Sequence, residues 1–235
     1  MYRTAASHDF PCQTCPVRDQ SICAVLSDEE LREVSKITTA VDLAKGATVF
    51  FEGDENAYLF NVVSGAVRLS KLLSDGRRQV TGFLFPGDFL GLSVADIYAY
   101  SAETLSETSL CRFNRASLIK LLERFPNLEH RLLELASNEL IEAQAHMMLL
   151  GQKQVTEKVS STLVHLMKRI GQRRDDEIVI NLPMTRTDLA EYAGVRTESV
   201  SRCLTRLRKQ SVISLPEPSS VHVLQEDELK RLAGD

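Results

Sequence analysis

The sequence lacks any hydrophobic run long enough to cross a membrane, which takes roughly 20 apolar residues in a helix. Its longest apolar runs, such as residues 147–150, are far shorter, and the first residues show no apolar signal-like segment. The chain has 5 cysteines, an odd number that is too small for a disulfide scaffold in a sequence of 235 residues. These absences lead us to expect a cytoplasmic protein without a membrane partner.

Motifs of the common enzyme classes are also absent. The chain contains no G-x-S-x-G nucleophile motif, no phosphate-binding P-loop and no dinucleotide fingerprint. Cys12 and Cys15 have the C-x-x-C spacing of thiol-redox enzymes, but they lack the βαβ context that normally accompanies it. We therefore expect that the protein is not an enzyme, with thiol-redox catalysis as the alternative from that class.

The balance of charge argues against nucleic acid only when the chain is taken as a whole. The formal net charge is −4. Residues 1–151, however, hold 14 basic and 20 acidic side chains, whereas residues 152–235 hold 14 and 12. Four of the C-terminal basic side chains lie within residues 202–209, which contain no acid. We therefore expect an acidic N-terminal part and a C-terminal part with a local positive face.

Composition divides the chain into four predicted segments. The first, residues 1–26, is a cysteine-bearing arm with no hydrophobic period and reads as irregular. The second, residues 27–126, begins with a capping-box pattern at Ser27 and Glu30. Within it, 7 of the 11 glycines fall between positions 46 and 91 and separate short β-rich runs. This pattern predicts an antiparallel β-roll of the jelly-roll type that serves as a sensor domain.

The third segment, residues 127–152, reads as one long helix, because it is rich in Leu, Glu, Gln and Ala and contains no proline. Apolar residues recur in it at the spacings of three and four that form a coiled-coil seam. We predict that this seam joins two copies of the chain in a homodimer; the alternative is that it packs on the β-roll of its own chain. The predicted dimerisation residues are Leu133, Ala136, Leu140, Ala143, Met147 and Leu150.

The fourth segment, residues 153–235, contains the pattern of a winged helix-turn-helix, a motif that binds double-stranded DNA. Thr185 is predicted to cap a short first helix, Gly194 to form the turn and Thr197 to cap the second helix. A hairpin pattern in residues 212–224 follows and supplies the wing. The segment therefore predicts a DNA-binding domain.

The second helix of this motif has one apolar and one polar face. Val200, Leu204 and Leu207 recur at helical spacing and face the core, with Cys203 among them as a small packing residue. The polar face suits base reading, because arginine bonds guanine bidentately and glutamate accepts a bond from cytosine, each worth ~1–3 kcal/mol of discrimination. A salt bridge within the helix is the alternative for such a pair. The predicted DNA contacts are Glu198, Ser201, Arg202, Thr197, Thr205, Lys209 and Arg186.

Three of the remaining cysteines cluster near the N-terminus, and the fourth lies far along the chain. Cys12, Cys15 and Cys23 form the pattern C-x2-C-x7-C, and Cys111 lies near the end of the predicted β-roll. Four thiolates complete a site for a tetrahedral zinc ion or for an iron-sulfur cluster, and the spacing does not choose between the two. Unligated thiols are the third possibility.

A β-roll, a long dimer helix and a winged helix in this order form an α+β chain that resembles the cyclic-AMP-receptor/fumarate-nitrate-reductase superfamily of transcription regulators over nearly its whole length. Residues 198–202, Glu-Ser-Val-Ser-Arg, are similar to the E-x-x-S-R recognition signature of the fumarate-nitrate-reductase branch. The resemblance implies that Glu198, Ser201 and Arg202 contact bases in a palindrome of TTGAT-like half-sites. The family's F-x-x-P-G-D loop is also present, and it implies contact with RNA polymerase by Phe83, Phe85, Gly87 and Asp88.

The resemblance extends to the cysteines. Oxygen-sensing members of the family hold a four-iron four-sulfur (4Fe-4S) cluster on three N-terminal cysteines and one before the dimer helix, and Cys12, Cys15, Cys23 and Cys111 match those positions. Their spacing is longer than the C-x2-C-x5-C of the enteric type and is similar to that of alphaproteobacterial relatives. This implies an oxygen- or redox-responsive activator in which an intact cluster favours the DNA-binding homodimer. Zinc or no metal at the cysteines is the alternative.

Two departures from the family's patterns refine that expectation. Receptors for cyclic nucleotides use an arginine in an F-G-E…R-x-A cassette, but the chain has no arginine between Arg78 and Arg112, so we expect no cyclic nucleotide. Oxygen sensors also carry an acidic residue on the dimer helix that keeps the cluster-free form apart. Here the uncharged Gln144 lies nearest that position, with Glu139 and Glu142 as the acidic candidates.

Overall fold

The structure, a computed structural model, describes three ranges of the chain: 12–93, 95–175 and 177–234. Contacts divide the chain into two compact units. The first unit comprises Met1–Lys71 and Thr81–Ile141, and the second comprises Leu72–Val80 and Glu142–Asp235. None of the helices in the described ranges combines the length and the apolarity that crossing a membrane demands.

In the first unit, the described part of the arm contains short 3-10 helices where the sequence predicted irregular structure. They span Cys12–Thr14, Arg18–Gln20 and Ile22–Val25. Ile22 is 1% exposed and packs with Leu26 into a core cluster. Burial of apolar side chains therefore anchors this part of the arm. Residues 1–11 of the predicted arm lie outside the described residues.

Helix α1, Asp28–Ser35, begins at the predicted capping box. The Ser27 hydroxyl accepts a bond from the Glu30 N–H at 3.3 Å, and the Glu30 carboxylate accepts one from the Ser27 N–H at 2.8 Å. Leu31 and Val34 are buried on the inner face of the helix. The sequence pattern thus located the start of this helix correctly.

Eight strands follow and form two antiparallel sheets. They are β1 Thr38–Leu43, β2 Thr48–Phe50, β3 Tyr58–Ser64, β4 Val67–Leu72, β5 Arg78–Leu84, β6 Phe89–Leu90, β7 Ser101–Thr104 and β8 Thr108–Asn114. The first sheet has the order β1-β8-β3-β6, and the second has the order β2-β7-β4-β5. This is the β-sandwich that the glycine-separated runs predicted.

The two faces of the first sheet have different partners. Phe60, Val62 and Leu110 point inward and share a buried cluster with apolar residues of the second sheet. Cys111, the next residue along β8, belongs to the outer face, because side chains alternate along a strand. The arm, α1 and helix α2, Arg115–Arg124, pack against that outer face. The outer face is therefore where the N-terminal arm meets the sheet.

Helix α3, Pro126–Gln152, corresponds to the predicted long helix. Its Leu128 is 1% exposed and joins the outer-face cluster of the first unit. The predicted seam is open instead, since Leu133, Leu140 and Met147 are 64%, 58% and 62% exposed. The single chain thus leaves uncovered the stripe that a dimer requires, and packing on its own β-roll does not account for these side chains.

Beyond α3, the second unit has the elements of a winged helix-turn-helix. Its helices are α4 Val155–Ile170, α5 Arg186–Ala193, α6 Thr197–Lys209 and α7 Glu226–Ala233. Its strands are β9 Gln172–Arg174, β10 Glu177–Asn181, β11 Ile213–Glu217 and β12 Ser220–Val223, in the antiparallel order β11-β12-β10-β9. The predicted α+β fold class is confirmed.

The structure also contains elements that the sequence patterns missed. The polar run after α4 contains β9, which pairs with the mainly apolar β10, and the C-terminal residues form α7, whose Leu229 and Ala233 are buried. Pro216 lies within β11. This strand is at the edge of its sheet, so that the missing N–H of proline leaves no partner unpaired.

Candidate DNA-reading helix and cysteine site

Near the start of helix α5, the carboxylate of Asp188 accepts hydrogen bonds from two other residues. The Oδ2 atom of Asp188 accepts bonds from the Thr185 N–H at 2.8 Å and from the Thr185 hydroxyl at 2.7 Å, within the predicted capping box. Its Oδ1 atom accepts a bond from Nη2 of Arg78 at 3.2 Å, and Arg78 belongs to the same unit. Asp188 is 2% exposed, and these partners provide the compensation that a buried charge requires.

The turn between α5 and α6 depends on glycine. Gly194 has a left-handed backbone with φ of +62°, and a Cβ added there would lie 2.7 Å from Cδ2 of Leu150. The Val195 N–H donates to the Ala190 carbonyl at 3.0 Å and closes the turn. Leu150 therefore packs against the turn and is half-buried, unlike the other predicted seam residues, which are exposed. The local sequence accounts for this geometry.

The inner face of α6 matches the predicted apolar spacing. Val200, Leu204 and Leu207 are between 0% and 2% exposed. Cys203 lies among them at 2% exposure, and burial raises the pKa of its thiol. Because a protonated and buried thiol is a weak nucleophile, Cys203 acts as a packing residue, as predicted.

The outer face of α6 presents polar side chains to solvent. Glu198, Arg202 and Lys209 are exposed, and within the described part of the chain Glu198 and Arg202 form no salt bridge with each other. Ser201 is half-buried, and its hydroxyl accepts a bond from Nη1 of Arg186 at 3.5 Å. The alternative reading of Glu198 and Arg202 as an internal ion pair therefore does not hold for the protein without DNA.

The prediction that Thr197 caps α6 is wrong. The N-cap residue is Arg196, which makes no side-chain cap bond, and Thr197 is the first helical residue. Threonine was predicted at the cap because it is common there. The N-cap is defined instead by backbone conformation, as the non-helical residue that directly precedes the first helical one. Thr197 remains beside the exposed start of α6, where its contact with DNA stays a prediction. Thr205, also predicted to touch DNA, is exposed, and its hydroxyl donates to the Ser201 carbonyl at 2.9 Å.

The predicted cysteine site lies on the outer face of the first sheet. Cys111 occupies the middle of β8, and its Cα is paired with those of Ala40 on β1 and Asn61 on β3. Cys12 and Cys23 of the arm pack against the same buried cluster as Cys111. The fold therefore brings the N-terminal cysteines to the cysteine of the sheet, although they are far apart in sequence.

The four thiols share one electrostatic environment. Burial raises the pKa of Cys23 to about 12 and also raises the pKa of Cys12 and of Cys111. The charge of Cys15 contributes to the raised pKa of all three. A hydrogen bond with the Thr38 hydroxyl opposes the rise of the pKa at both Cys12 and Cys111. These three thiols therefore stay protonated at neutral pH unless a metal displaces their protons.

The candidate site offers four thiols, which are donors that both zinc and iron-sulfur clusters accept. Zinc holds thiolates at about 2.3 Å, which brings the sulfurs close to one another. Within the described ranges, no group of three or more Cys, His, Asp or Glu side chains has the arrangement to hold an ion. A 4Fe-4S cluster binds its cysteines through four different irons and spaces the sulfurs further apart. The four thiols match a 4Fe-4S cluster in kind and number, and the choice among a cluster, zinc and no metal stays a prediction.

The predicted polymerase-contact loop is tightly packed. Phe83 and Phe85 are each 4% exposed, and the Asp88 carboxylate accepts a bond from the Phe85 N–H at 2.8 Å. Gly87 is buried and has a left-handed backbone with φ of +96°. Pro86 is exposed. Contact with RNA polymerase stays a prediction. The loop backbone and Pro86 are available for such a contact, whereas the phenylalanine rings are buried.

Sequence reasoning missed two polar side chains beside Cys111. Asn61 is its register partner on β3, and Thr38 lies two residues from Ala40, its register partner on β1. The alternation of strand residues was the available signal, since it assigns a face to each side chain. It could not identify these neighbours, because the pairing of β8 with β1 and β3 is visible only in the folded sheet.

Comparison with known families matches both halves of the chain. Residues 40–125 match the cyclic nucleotide-binding domain, and residues 157–232 match the Crp-like helix-turn-helix domain. The first match describes the fold of the β-roll. The expectation that this chain binds no cyclic nucleotide stays a prediction.

The chain is also similar to proteins over most of its length. It is 37% identical over 220 residues to the nitrogen fixation regulation protein FixK of Bradyrhizobium diazoefficiens, covering 91% of this chain and 93% of FixK. It is 32% identical over 237 residues to the transcriptional activator protein FnrL of Cereibacter sphaeroides, covering 97% and 96%. The solved structure of FixK2 from Bradyrhizobium japonicum has a TM-score of 0.78 at 32% identity, covering 83% of this chain and 97% of that chain.

These relatives are regulators of transcription, which confirms the expectation that the protein is not an enzyme. Their similarity extends over both units and includes the helix-turn-helix. The chain belongs to the cyclic-AMP-receptor/fumarate-nitrate-reductase (CRP/FNR) family of transcription regulators.

Proposed function

We propose that the protein is an oxygen- or redox-responsive activator that reads palindromic DNA as a homodimer. The exposed face of α6 is its DNA-reading surface, and a 4Fe-4S cluster on Cys12, Cys15, Cys23 and Cys111 is its sensor. The observation that carries this proposal is the meeting of the arm cysteines with Cys111 on one face of the sheet, in a family member with a helix-turn-helix.

Base reading rests on Glu198 and Arg202, which lie one helical turn apart on the exposed face of α6. Side chains near the start of a recognition helix enter the major groove, where arginine bonds guanine and glutamate accepts from cytosine. Arg202 is assigned to the guanine of a TTGAT-like half-site. Because neither side chain is held by the other in the free protein, both are available to the bases.

Phosphate contacts come from the flanks of the same helix. Arg206, Arg208 and Lys209 place positive charge in its last turn. At the other end, Arg196 makes no side-chain cap bond, which leaves N–H groups of the first turn available to a phosphate oxygen. These contacts hold the helix in register but carry no sequence information, so they set overall affinity rather than specificity.

The test compares Arg202→Ala with Lys209→Ala on a TTGAT palindrome, on the same site with its guanines replaced, and on random DNA. Arg202→Ala should lose about ten- to a hundredfold of the discrimination at guanine, from ~1–3 kcal/mol per bidentate contact. Lys209→Ala should weaken binding to all sequences alike and reduce the salt dependence. Equal loss on specific and random DNA for Arg202→Ala would overturn its base-reading role.

The sensor part of the proposal gives each cysteine a position. Cys111 is fixed by the strand pairs of β8, whereas Cys12, Cys15 and Cys23 belong to an arm built of short 3-10 turns. When bound, the cluster supplies a redox-active centre that reacts with oxygen. Loss of the four-point attachment weakens the hold of the sheet on the arm, which then depends on the burial of Ile22 and Leu26.

Arg131 links the arm to the dimer helix. This α3 residue donates from Nε to the Ser21 carbonyl and from Nη2 to the Gln20 carbonyl, both at 3.4 Å. Both carbonyls lie in the arm between Cys15 and Cys23. Order in the arm therefore supports the first turns of α3, which continue into the exposed seam. This is the route by which the cysteine site favours the dimer, as a shift between two states.

The acidic candidates on α3 differ in their surroundings. Glu142 lies 3.3 Å from Nδ1 of His165, so it has a partner in its own chain. Glu139 is exposed, and Gln144 carries no charge. Glu139 is therefore the better candidate for keeping metal-free chains apart, and the uncharged Gln144 weakens that repulsion relative to an acid at its position.

Metal analysis tests the sensor. The full chain is purified without oxygen, and iron, sulfide and zinc are measured together with the visible spectrum, before and after exposure to air. We expect iron and sulfide in equal amounts, little zinc, and loss of the visible absorption in air. Cys111→Ser should lose the iron, and Cys203→Ser is the matched control that should keep it. Zinc in place of iron would contradict the proposed cofactor.

Sedimentation tests the link to dimerisation. At one low protein concentration, we expect the iron-loaded protein to be a dimer and the metal-free protein to be largely a monomer. Dimers in both samples would show that the monomer–dimer mechanism is wrong.

Activation through RNA polymerase is tested separately, by transcription in vitro with Pro86→Ala in the packed loop of residues 83–89.

A further inference from the structure

A polar side chain is buried beside Cys111 with most of its hydrogen-bonding capacity unused. Asn61 is 3% exposed, and its Oδ1 atom has no hydrogen-bond partner among the residues that the structure describes. Its Nδ2 atom donates a long bond of 3.4 Å to the Val62 carbonyl. An amide in this state destabilises the fold, because it has lost its hydration without a full replacement. Its presence at this position indicates a role other than packing.

Asn61 stands directly opposite Cys111 across the β3–β8 pair. Their Cα atoms are register partners, so both side chains project from the same face with Cβ atoms about 4.5–5.5 Å apart. Leu59 and Phe89, its neighbours on that face, are apolar members of the core cluster. Of the two register partners of Asn61, Phe89 and Cys111, Cys111 is the one whose side chain can take part in a hydrogen bond.

A hydroxyl lies diagonally across from Cys111 on the neighbouring strand at its other side. Thr38 lies on β1, two positions from the register partner Ala40, and its side chain opposes the rise in the pKa of the Cys111 and Cys12 thiols. The same hydroxyl lies 3.0 Å from the Ser35 carbonyl, to which it donates. Polar side chains thus flank Cys111 on both neighbouring strands of an otherwise apolar face.

We propose that Asn61 is a positioning residue of the iron-sulfur site, whose amide N–H donates a hydrogen bond to the Cys111 sulfur when that sulfur is a thiolate ligand. This inference rests on the proposed four-cysteine site. Rotation about one side-chain bond exchanges the amide oxygen and nitrogen, so that either can face the sulfur. Hydrogen bonds to ligand sulfurs stabilise the more reduced state and raise the reduction potential. Asn61 therefore holds the potential up and slows oxidation of the site.

The test uses Asn61→Leu, which keeps the size of the side chain and removes its donors. The full chain, purified without oxygen, is compared with the wild type for iron and sulfide content, midpoint potential and rate of absorption loss in air. We expect equal iron, a more negative midpoint potential and a several-fold faster loss in air. The metal-free variant should unfold at a higher temperature, because it no longer buries an unsatisfied amide. A purely structural role would change stability without moving the potential.

Asn56 provides the matched control. Its Oδ1 atom is likewise buried and finds no partner within the described ranges, but the residue precedes β3 and is not in register with a cysteine. Asn56→Leu should alter the unfolding temperature and leave the potential unchanged. Asn61→Ser retains a donor and should bring the potential back toward that of the wild type.

The outcomes separate this inference from the function on which it rests. Normal iron content with an unchanged potential in Asn61→Leu would overturn the role of Asn61. A more negative potential in Asn61→Leu that Asn61→Ser brings back toward the wild type would support it. Absence of iron from the wild-type protein would overturn the four-cysteine site itself.

Discussion

The reading head, residues 185–209, and the cysteine site are held together by different kinds of contact. In the reading head, the cap at Thr185, the turn at Gly194 and the buried face of α6 come from residues that are close in sequence. The cysteine site instead joins the arm to Cys111 through strands that pair across long intervals. The helix-turn-helix is thus encoded largely by local sequence, whereas the proposed sensing site depends on the pairing of distant strands in the first unit.

Alanine substitutions in the hydrophobic core of each region should have the largest effects on the free energy of unfolding. Leu207, 0% exposed, lies in the reading head, and Phe113, 1% exposed, lies two residues from Cys111 on the outer face of β8. Each change to alanine should lower the free energy of unfolding of its unit by about 3–5 kcal/mol. Calorimetry, iron content and DNA binding are measured on both variants.

The two substitutions should affect DNA binding and iron content differently. Leu207→Ala should abolish DNA binding and keep the iron, whereas Phe113→Ala should reduce iron content because it loosens the face that carries Cys111. Equal loss of iron in both variants would break the distinction between a locally encoded head and a site that depends on the whole first unit.

Two left-handed glycines should give a smaller difference. Gly194, with φ of +62°, has Leu150 where a Cβ would go, whereas Gly46, with φ of +79°, has nothing within 4 Å. Alanine at either position costs about 1–2 kcal/mol from its backbone conformation alone. Gly194→Ala should cost more, because the Leu150 side chain must also move. Urea unfolding measures both, and a larger cost at Gly46 would contradict the close packing of the turn.

The two capping boxes allow a finer comparison. Thr185→Ala and Ser27→Ala should each lower the free energy of unfolding by about 1 kcal/mol. The loss at Thr185 should be the greater, because its hydroxyl also donates to the buried Asp188 carboxylate at 2.7 Å. Urea unfolding of the metal-free protein checks the order of the two losses, which would be reversed if the Asp188 contact contributed nothing.

The smallest expected effect is a dependence of stability on pH in the second unit. The His146 Nε2–H donates to the Tyr192 carbonyl at 2.8 Å, and its ring stacks on Tyr192 at 4.1 Å. Burial lowers the pKa of His146 below its usual value of about 6.5. The unfolded chain therefore takes up a proton that the folded chain resists, so stability is complete above pH ~6.5 and falls below it.

Replacement of this histidine tests the sign. His146→Gln keeps a donor for the Tyr192 carbonyl and removes the titrating group. Stability rises with pH wherever the unfolded state binds more protons than the folded state. The unfolding temperature of His146→Gln should therefore fall less between pH 7 and pH 5 than that of the wild type. Identical pH profiles for the two proteins would show that His146 does not contribute.

Several parts of the fold were predictable because their causes are local. The capping boxes at Ser27 and Thr185, the left-handed Gly194 and the buried face of α6 follow from turn chemistry and helical spacing. The cap at Thr197 was predicted wrongly, since residue type alone does not decide where a helical backbone begins. The β9–β10 hairpin was missed because its strands are too short to show a period.

By itself, the sequence determined the order of a β-roll, a long helix and a winged helix-turn-helix, the apolar stripe of α3, and the four candidate cysteine ligands. The physical reason is that helical spacing, strand alternation and turn residues act over a few positions. Only the tertiary structure decided that Thr38 and Asn61 flank Cys111 and that Arg131 reaches the arm. Those contacts join residues distant in the chain, and they exist because particular strands pair and one face of the sheet must be covered.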